Sequence, residues 1–369
     1  MSIHSFLNKI NYSENQAGLG LPFLFYNMQR TDLAELGEFG LIERIKKNTE
    51  TVQPSTIAGI GDDAAVIDSG SHYTLVATDM LVEGIHFDLS YTPLKHLGYK
   101  AVAVNISDIA AMNGFPKQIT VSIGLSNRFS VEVVDEIYEG IHAACKNYKV
   151  DLVGGDTASS KSGLIISVTA IGEVPKEAVT YRKGAQPNDV LCATGDLGAA
   201  YFGLQILERE KQVFMENPNM RPELKEHEYL VGRQLRPEGR TDIIHELKER
   251  NVVPTSMIDI SDGLASEILH LSQHSGMGFS VFVDNLPIEN STLLAAEEFK
   301  VNPITAVVNG GEDYELLMTI SQKDYEEIKG IPEITPIGFV TKEKNNILVT
   351  KSGEQVQINA QGWKHLENS

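Results

Sequence analysis

The chain is expected to fold as two α+β domains, each a mixed α/β sandwich, and three observations predict this. β-rich and helix-patterned runs alternate along its whole length with short connections, the pattern of mixed domains. Its 369 residues, 42% of them hydrophobic, suffice for about two cores. A segment carrying Pro175, Gly184 and Pro187 between apolar runs, residues 172–189, reads as a domain junction. The expected domains are residues 28–175 and 176–369. Residues 1–27 form an extension with scattered Asn, Ser and Gly and no sustained period. We read it as a flexible arm, an oligomer contact, or sequence upstream of a native start at Met28.

The elements follow in order. Residues 35–47 pattern as a short helix, with Phe39, Ile42 and Ile45 on one face. TIAGIG, AAVIDS and YTLVATDML are β-rich. The Ala-rich stretch from Pro93 to Met112 places Leu97, Ala101, Val104, Asp108 and Met112 on one helical face, with Asn105 one turn from Asp108. A strand at 118–125, a helix at 131–147 and strands at 150–154 and 164–173 complete the first half. The second half opens with a strand at 190–195 and a helix at 198–208, followed by a polar stretch to 240. A helix at 239–251 starts at Thr241 or Asp242. SMIDISDG then leads into a helix closed by Gly276. FSVFVD, a helix near 290–300, AVVNGG, YELLMTI and a strand-rich tail end the chain.

Charge and cysteine usage exclude several classes. With 50 acidic and 31 basic residues the formal charge is -19, a field that repels nucleic acid. Cys145 and Cys192 lie far apart with no CxxC, so a disulfide framework or zinc site is not expected. A reducing cytoplasm is the expected setting. No apolar run reaches the roughly 18 residues of a membrane span, and the N-terminus lacks the pattern of a secretion signal.

The acids are the distinctive feature. Asp62 and Asp63 sit in GIGDDAAVI, Asp79 in VATDML, Asp108 in NISDIAAM and Asp156 in VGGDTASS. Asp259 and Asp262 sit in IDISDGL, and Glu312 and Asp313 in NGGEDYEL. Any one of them reads as a turn residue. Most of them follow apolar runs and several adjoin glycine, as catalytic groups at strand ends do. If they converge, repulsion in a low dielectric demands cations. Oxygen-only ligands point to Mg²⁺, and several Mg²⁺ ions with ATP are a usual means of phosphoryl transfer. No Walker, HRD or DFG motif is present. GIGDDA mimics a dinucleotide fingerprint, but Asp62 and Asp63 would oppose the pyrophosphate.

GIGDDAAVI, TDMLVEGIHF, KAVAVNISDIAAMNG, VGGDT, IDISDGL and GGEDYEL occur in this order, and the set resembles the bacterial thiamine-monophosphate kinases from about Glu38 onward. Those enzymes belong with aminoimidazole ribonucleotide synthetase, selenophosphate synthetase and the hydrogenase-maturation dehydratase. The resemblance implies a homodimer with a β-rich interface to which the N-terminal domain contributes. It implies ATP-dependent phosphorylation of thiamine monophosphate, driven by several Mg²⁺ ions without a dedicated base. The metal ligands it implies are Asp63, Thr78, Asp79, Asp108, Asp156, Asp259 and Asp262. The implied ATP contacts are Gly155, Asp156, Arg182 and Ser261; the implied acceptor contacts are His86, Glu312 and Trp363. Residue by residue, Arg182 could equally pair with one of the acids, His86 could be structural, and Trp363 could be a core plug or a ring over the cationic thiazolium.

Three rivals remain at this point, the first being another ATP-dependent enzyme of the same superfamily. Selenophosphate synthetase needs a reactive Cys near the N-terminus, and the hydrogenase-maturation enzyme a C-terminal one; the first Cys here is Cys145 and the chain ends HLENS. A non-catalytic Mg-nucleotide sensor and a Ca²⁺-binding structural protein are the others; ATP binding tells the last from the rest.

Overall fold

The computed structural model describes residues 33–220 and 222–359. The extension 1–27 and Trp363 lie outside the described residues. The first half runs α1 (Leu33–Lys47), β1 (Thr56–Ala58), β2 (Ala65–Asp68), β3 (Tyr73–Val82), α2 (Leu94–Ala111), β4 (Phe115–Leu125), α3 (Val131–Tyr148), β5 (Asp151–Ser159) and β6 (Ile165–Val174). Its six strands form one sheet in the order β1-β2-β3-β6-β4-β5. All neighbours are antiparallel except β4 and β5.

The second half runs β7 (Val190–Thr194), α4 (Ala199–Glu216), α5 (Glu228–Leu235), α6 (Thr241–Glu249), β8 (Ser256–Asp259), α7 (Leu264–Ser275) and β9 (Gly278–Phe282). It continues through α8 (Asn290–Phe299), α9 (Pro303–Asn309), β10 (Leu316–Ile320), α10 (Gln322–Ile328), β11 (Ile334–Thr341), β12 (Asn346–Val349) and β13 (Gln355–Gln357). The second sheet has the order β13-β12-β9-β11-β7-β10-β8. Two mixed sheets with helices packed on them match the expected α+β class.

Period-2 patterning decides which face of the first sheet is covered. In β6, Ile166, Val168 and Ala170 are buried while Ser167, Thr169 and Ile171 keep solvent contact. The buried set packs with Leu75, Ile119, Ile106 and Ile141 into the first core. On the other side, Ile57, Met80 and Val153 of β1, β3 and β5 are exposed.

Helix α2 differs from its sequence reading. A single apolar face is expected, yet nearly every residue from Leu97 to Ala111 is buried. The reason is that α2 is enclosed by both halves. Ile106 and Ile109 belong to the first half, whereas Ala110 and Ala111 pack with Ile243, Leu247, Met257 and Met318 of the second. A helix buried all round loses its amphipathic signature. Other differences are local. The helix at 198–208 extends to Glu216, and β5 continues through Gly155 and Asp156.

A buried ionic network fixes the start of β10. Glu315, inaccessible to solvent, accepts hydrogen bonds from Thr194 Oγ1 at 2.6 Å and from Arg240, and pairs with Arg233 at 3.0 Å. Removing one partner of such a network strands the others without water. Glu315→Ala is therefore expected to cost about 3–5 kcal/mol of stability in equilibrium urea unfolding. A loss under about 1 kcal/mol would show that the two arginines find other partners.

Candidate active site

The site is assembled at the seam between the halves. Asp63 comes from the loop between β1 and β2, Asp108 from α2, and Asp259 from the last position of β8. Their carboxylate oxygens lie within 4.8 Å of one another. Three acids this close, drawn from three separate elements, are not a turn motif. The Asp63 side chain is fully shielded, and its Oδ2 has no hydrogen-bond partner. A buried, unpaired carboxylate oxygen is unfavourable unless a cation or water satisfies it. An oxygen-only donor set with a spare buried lone pair fits a hard divalent cation.

The neighbours hold this set in place. Arg182, in the segment joining the sheets, donates to Asp63 Oδ1 from Nη2 at 2.6 Å and from Nε at 3.2 Å. Its backbone N–H donates to Asp62 Oδ1 at 3.1 Å. Ser107 Oγ donates to Asp259 Oδ2 at 2.6 Å, tying α2 to β8. Asn105 Oδ1 accepts from the Asp79 backbone N–H at 2.8 Å, tying α2 to β3.

The electrostatics follow from burial and like charge. Burial, then Asp63, pushes both Asp62 and Asp259 up to about 7. Asp108 is raised well above the ordinary carboxylate range by burial and by Asp79, Asp259 and Asp63. Asp79 keeps solvent contact, yet protein packed around its carboxyl, with Glu312 and Asp63, pushes it up to about 6. Arg182 is the cation that opposes this charge, and it is held firmly protonated by Asp63 despite burial.

Beside the cluster, the loop 310–314 places Glu312. Its backbone is in the left-handed region at φ 70°, and its N–H donates to Ser261 O at 2.7 Å. Gly311 must be glycine for this closeness, since a Cβ there would stand 2.3 Å from Ser261 O. The Glu312 carboxylate accepts from Lys100 and from Gln234 Nε2 at 3.3 Å.

A separate cavity of about 340 Å³ opens along β5, lined by Val121, Tyr138, Leu152, Gly154, Gly155, Asp156 and Thr157. Gly155 lets β5 approach β4, because a Cβ there would meet Val121 O at 1.8 Å.

Comparison with known proteins places this architecture. The family described as AIR synthase related protein, N-terminal domain, matches residues 61–174. The thiamine-monophosphate kinase of Aquifex aeolicus is 36% identical over 334 residues, covering 90% of this chain and 99% of that one. The chain belongs to the thiamine-monophosphate kinase family. The family's enzyme from Bacillus subtilis is 33% identical over 344 residues, again 90% of this chain. The solved structure of AaThiL complexed with AMPPCP and TMP superimposes with a TM-score of 0.78 at 34% identity, covering 92% of this chain and all of that one.

Within this member of the thiamine-monophosphate kinase family, the expected site residues fall into groups. Asp63, Asp108 and Asp259 converge, Asp79 lies near enough to raise Asp108 and Asp259 by its charge, and Arg182 joins them through Asp63. Gly155 and Asp156 line the β5 cavity instead. Asp156 and Asp79 lie within strands and Asp108 on a helix, so the strand-end reading holds for Asp259 but not for them. Asp262 stands at the entrance to α7, its N–H donating to Glu267 Oε1 at 2.9 Å. Ser261 supports Glu312 through its carbonyl. The Thr78 hydroxyl donates to Val168 O at 3.1 Å and accepts from Thr169, both on β6. His86 Nδ1 accepts from the Val82 N–H at 3.0 Å, so the imidazole shapes its own turn.

Sequence reasoning missed Lys100, Ser107, Tyr138, Gln234 and Glu267. Lys100 is buried in a helix that patterns as core, and Gln234 lies in the polar stretch where no element is expected. Ser107 precedes Asp108 in NISD, and its polarity next to a site acid was the available signal.

The raised carboxyls make a signed prediction. A carboxyl whose value is higher folded than unfolded favours folding most below its unfolded value, and that stability is lost as pH rises through the folded value. For Asp62 and Asp259 the window runs from 3.8 to about 7. In EDTA the protein should melt at a higher temperature near pH 5 than near pH 8, and added Mg²⁺ should raise the melting temperature more at the higher pH. A Mg²⁺ effect that is absent or larger at acid pH would contradict the cluster's assignment.

Proposed function

We propose that this chain transfers the γ-phosphoryl group of ATP directly to the phosphate of thiamine monophosphate, giving thiamine diphosphate and ADP. The observation that carries the reading is the convergence of Asp63, Asp108 and Asp259, from both halves, with oxygens within 4.8 Å of one another. Membership of the thiamine-monophosphate kinase family and the likeness to AaThiL with AMPPCP and TMP support it.

An acceptor phosphate is already ionised near pH 7, so the obstacle is repulsion between two anions rather than proton removal. Mg²⁺ ions held by Asp63, Asp79, Asp108 and Asp259, with Thr78, Asp156 and Asp262 as further ligands, would neutralise that charge. No general base is assigned, and the transfer is read as in-line: the bond from the γ-phosphorus to the ADP oxygen breaks as the bond to the acceptor oxygen forms. Arg182 would exchange its bond with Asp63 for a nucleotide phosphate once cations bind. Tyr138 and Gly155 would receive the nucleotide along β5, the ring offering a stacking surface for the base. Glu312, with His86 and Trp363, would recognise the cationic acceptor.

We further propose a homodimer. The face of the first sheet that no other described residue covers at Ile57, Met80 and Val153 is the surface that self-association would bury. No helix among the described residues is long and apolar enough to cross a membrane, and the reading places the enzyme in the cytoplasm.

Two measurements test the function. ADP release coupled to chromatography should show thiamine diphosphate formed one-for-one with ADP, and none in EDTA. ADP release indifferent to thiamine monophosphate would discard the substrate, and ATP binding without turnover would favour a sensor. Asp79→Asn and Asp259→Asn should each lower kcat about a hundredfold or more while the circular dichroism spectrum is retained; unchanged turnover in both would remove them from the site.

A further inference from the structure

Lys100 is a lysine where the fold has no ordinary use for one. It lies inside α2 and is only 3% exposed, with its ammonium on Glu312 Oε2 and donating to the Gln234 backbone carbonyl at 3.0 Å. Burying an ammonium is costly, and its retention calls for a partner that needs it. That partner is Glu312, whose left-handed backbone is itself strained for a residue with a side chain. Gln234 Nε2 and the Tyr314 hydroxyl reach the same carboxylate only at 3.3 and 3.4 Å. Lys100 is thus the charged group that sets where Glu312 points.

The same helix carries the cluster. Lys100 and Asp108 are two i,i+4 steps apart, on one side of α2 and about 12 Å along its axis. Glu312 in turn feels the cluster, since it helps raise Asp79. The helix therefore acts as a rigid spacer between the carboxylates and Glu312.

We propose that Lys100 is a positioning residue for the phosphate acceptor: it holds the Glu312 carboxylate at a fixed offset from the carboxylate cluster, so that capture of a cationic phosphate ester depends on it while nucleotide binding does not. This rests on the functional reading above.

The test is a double-mutant cycle in the full chain, with K100M, E312Q and K100M/E312Q. K100M should raise KM for thiamine monophosphate about tenfold to a hundredfold. The dissociation constant for Mg-AMPPCP, measured by calorimetry, should change less than about twofold. The double variant should match E312Q in acceptor KM within about twofold, because Lys100 acts through Glu312. Multiplicative effects of the two substitutions, or equal losses for acceptor and nucleotide, would return Lys100 to a purely structural role. If K100M does not fold, K100R serves: a preserved charge with displaced geometry should raise acceptor KM alone, and parallel loss of nucleotide binding overturns the proposal. The wild-type control separates the two claims. Failure of the wild type to make thiamine diphosphate overturns the function and this inference with it. Normal wild-type turnover with unchanged acceptor KM in K100M overturns only the role of Lys100.

Discussion

Repulsion among Asp63, Asp108 and Asp259 is the constraint on which the rest of this structure depends. Three carboxylates within 4.8 Å would drive their elements apart if each were ionised and alone. The fold opposes that with Arg182 on Asp63 and Ser107 on Asp259. Rigid scaffolding of like charges is the arrangement expected where a cation is to be captured rather than where a surface is merely solvated.

Helix α2 is the part that makes this possible. It packs in the first core through Ile106 and closes on the second through Ala110 and Ala111. Its polar residues then point to the seam: Lys100 to Glu312, Asn105 to Asp79, Ser107 to Asp259, and Asp108 into the cluster itself. Each of these bonds joins α2 to another element, and two of them cross between halves. A change in the packing of α2 would therefore be felt at the carboxylate cluster and at Glu312 together.

Much of this was legible in the sequence for physical reasons. Strands β3, β4 and β6 announce themselves through β-branched runs, and α7 through its Gly276 stop. The acids stood out because GIGDD, DISD and GGED put charge beside glycine and core. What the sequence hid are the relations that only tertiary packing creates. Period 3.6 cannot reveal that α2 is enclosed on all sides, so Lys100 reads as an ordinary helical lysine. The strand-end reading of Asp156 failed because β5 runs on through two glycines, at the edge of its sheet where packing demands little. Tyr138 carries no local signal; it matters only because α3 and β5 bound one cavity.

The most direct measurement is an anomalous-difference map from crystals of the full chain grown with Mn²⁺ and AMPPCP. The account predicts a peak ligated by Asp63, Asp108 and Asp259, with the Arg182 guanidinium withdrawn from Asp63 toward the nucleotide phosphates. Manganese bound elsewhere, with the Arg182–Asp63 pair intact and the three carboxylates unligated, would contradict it.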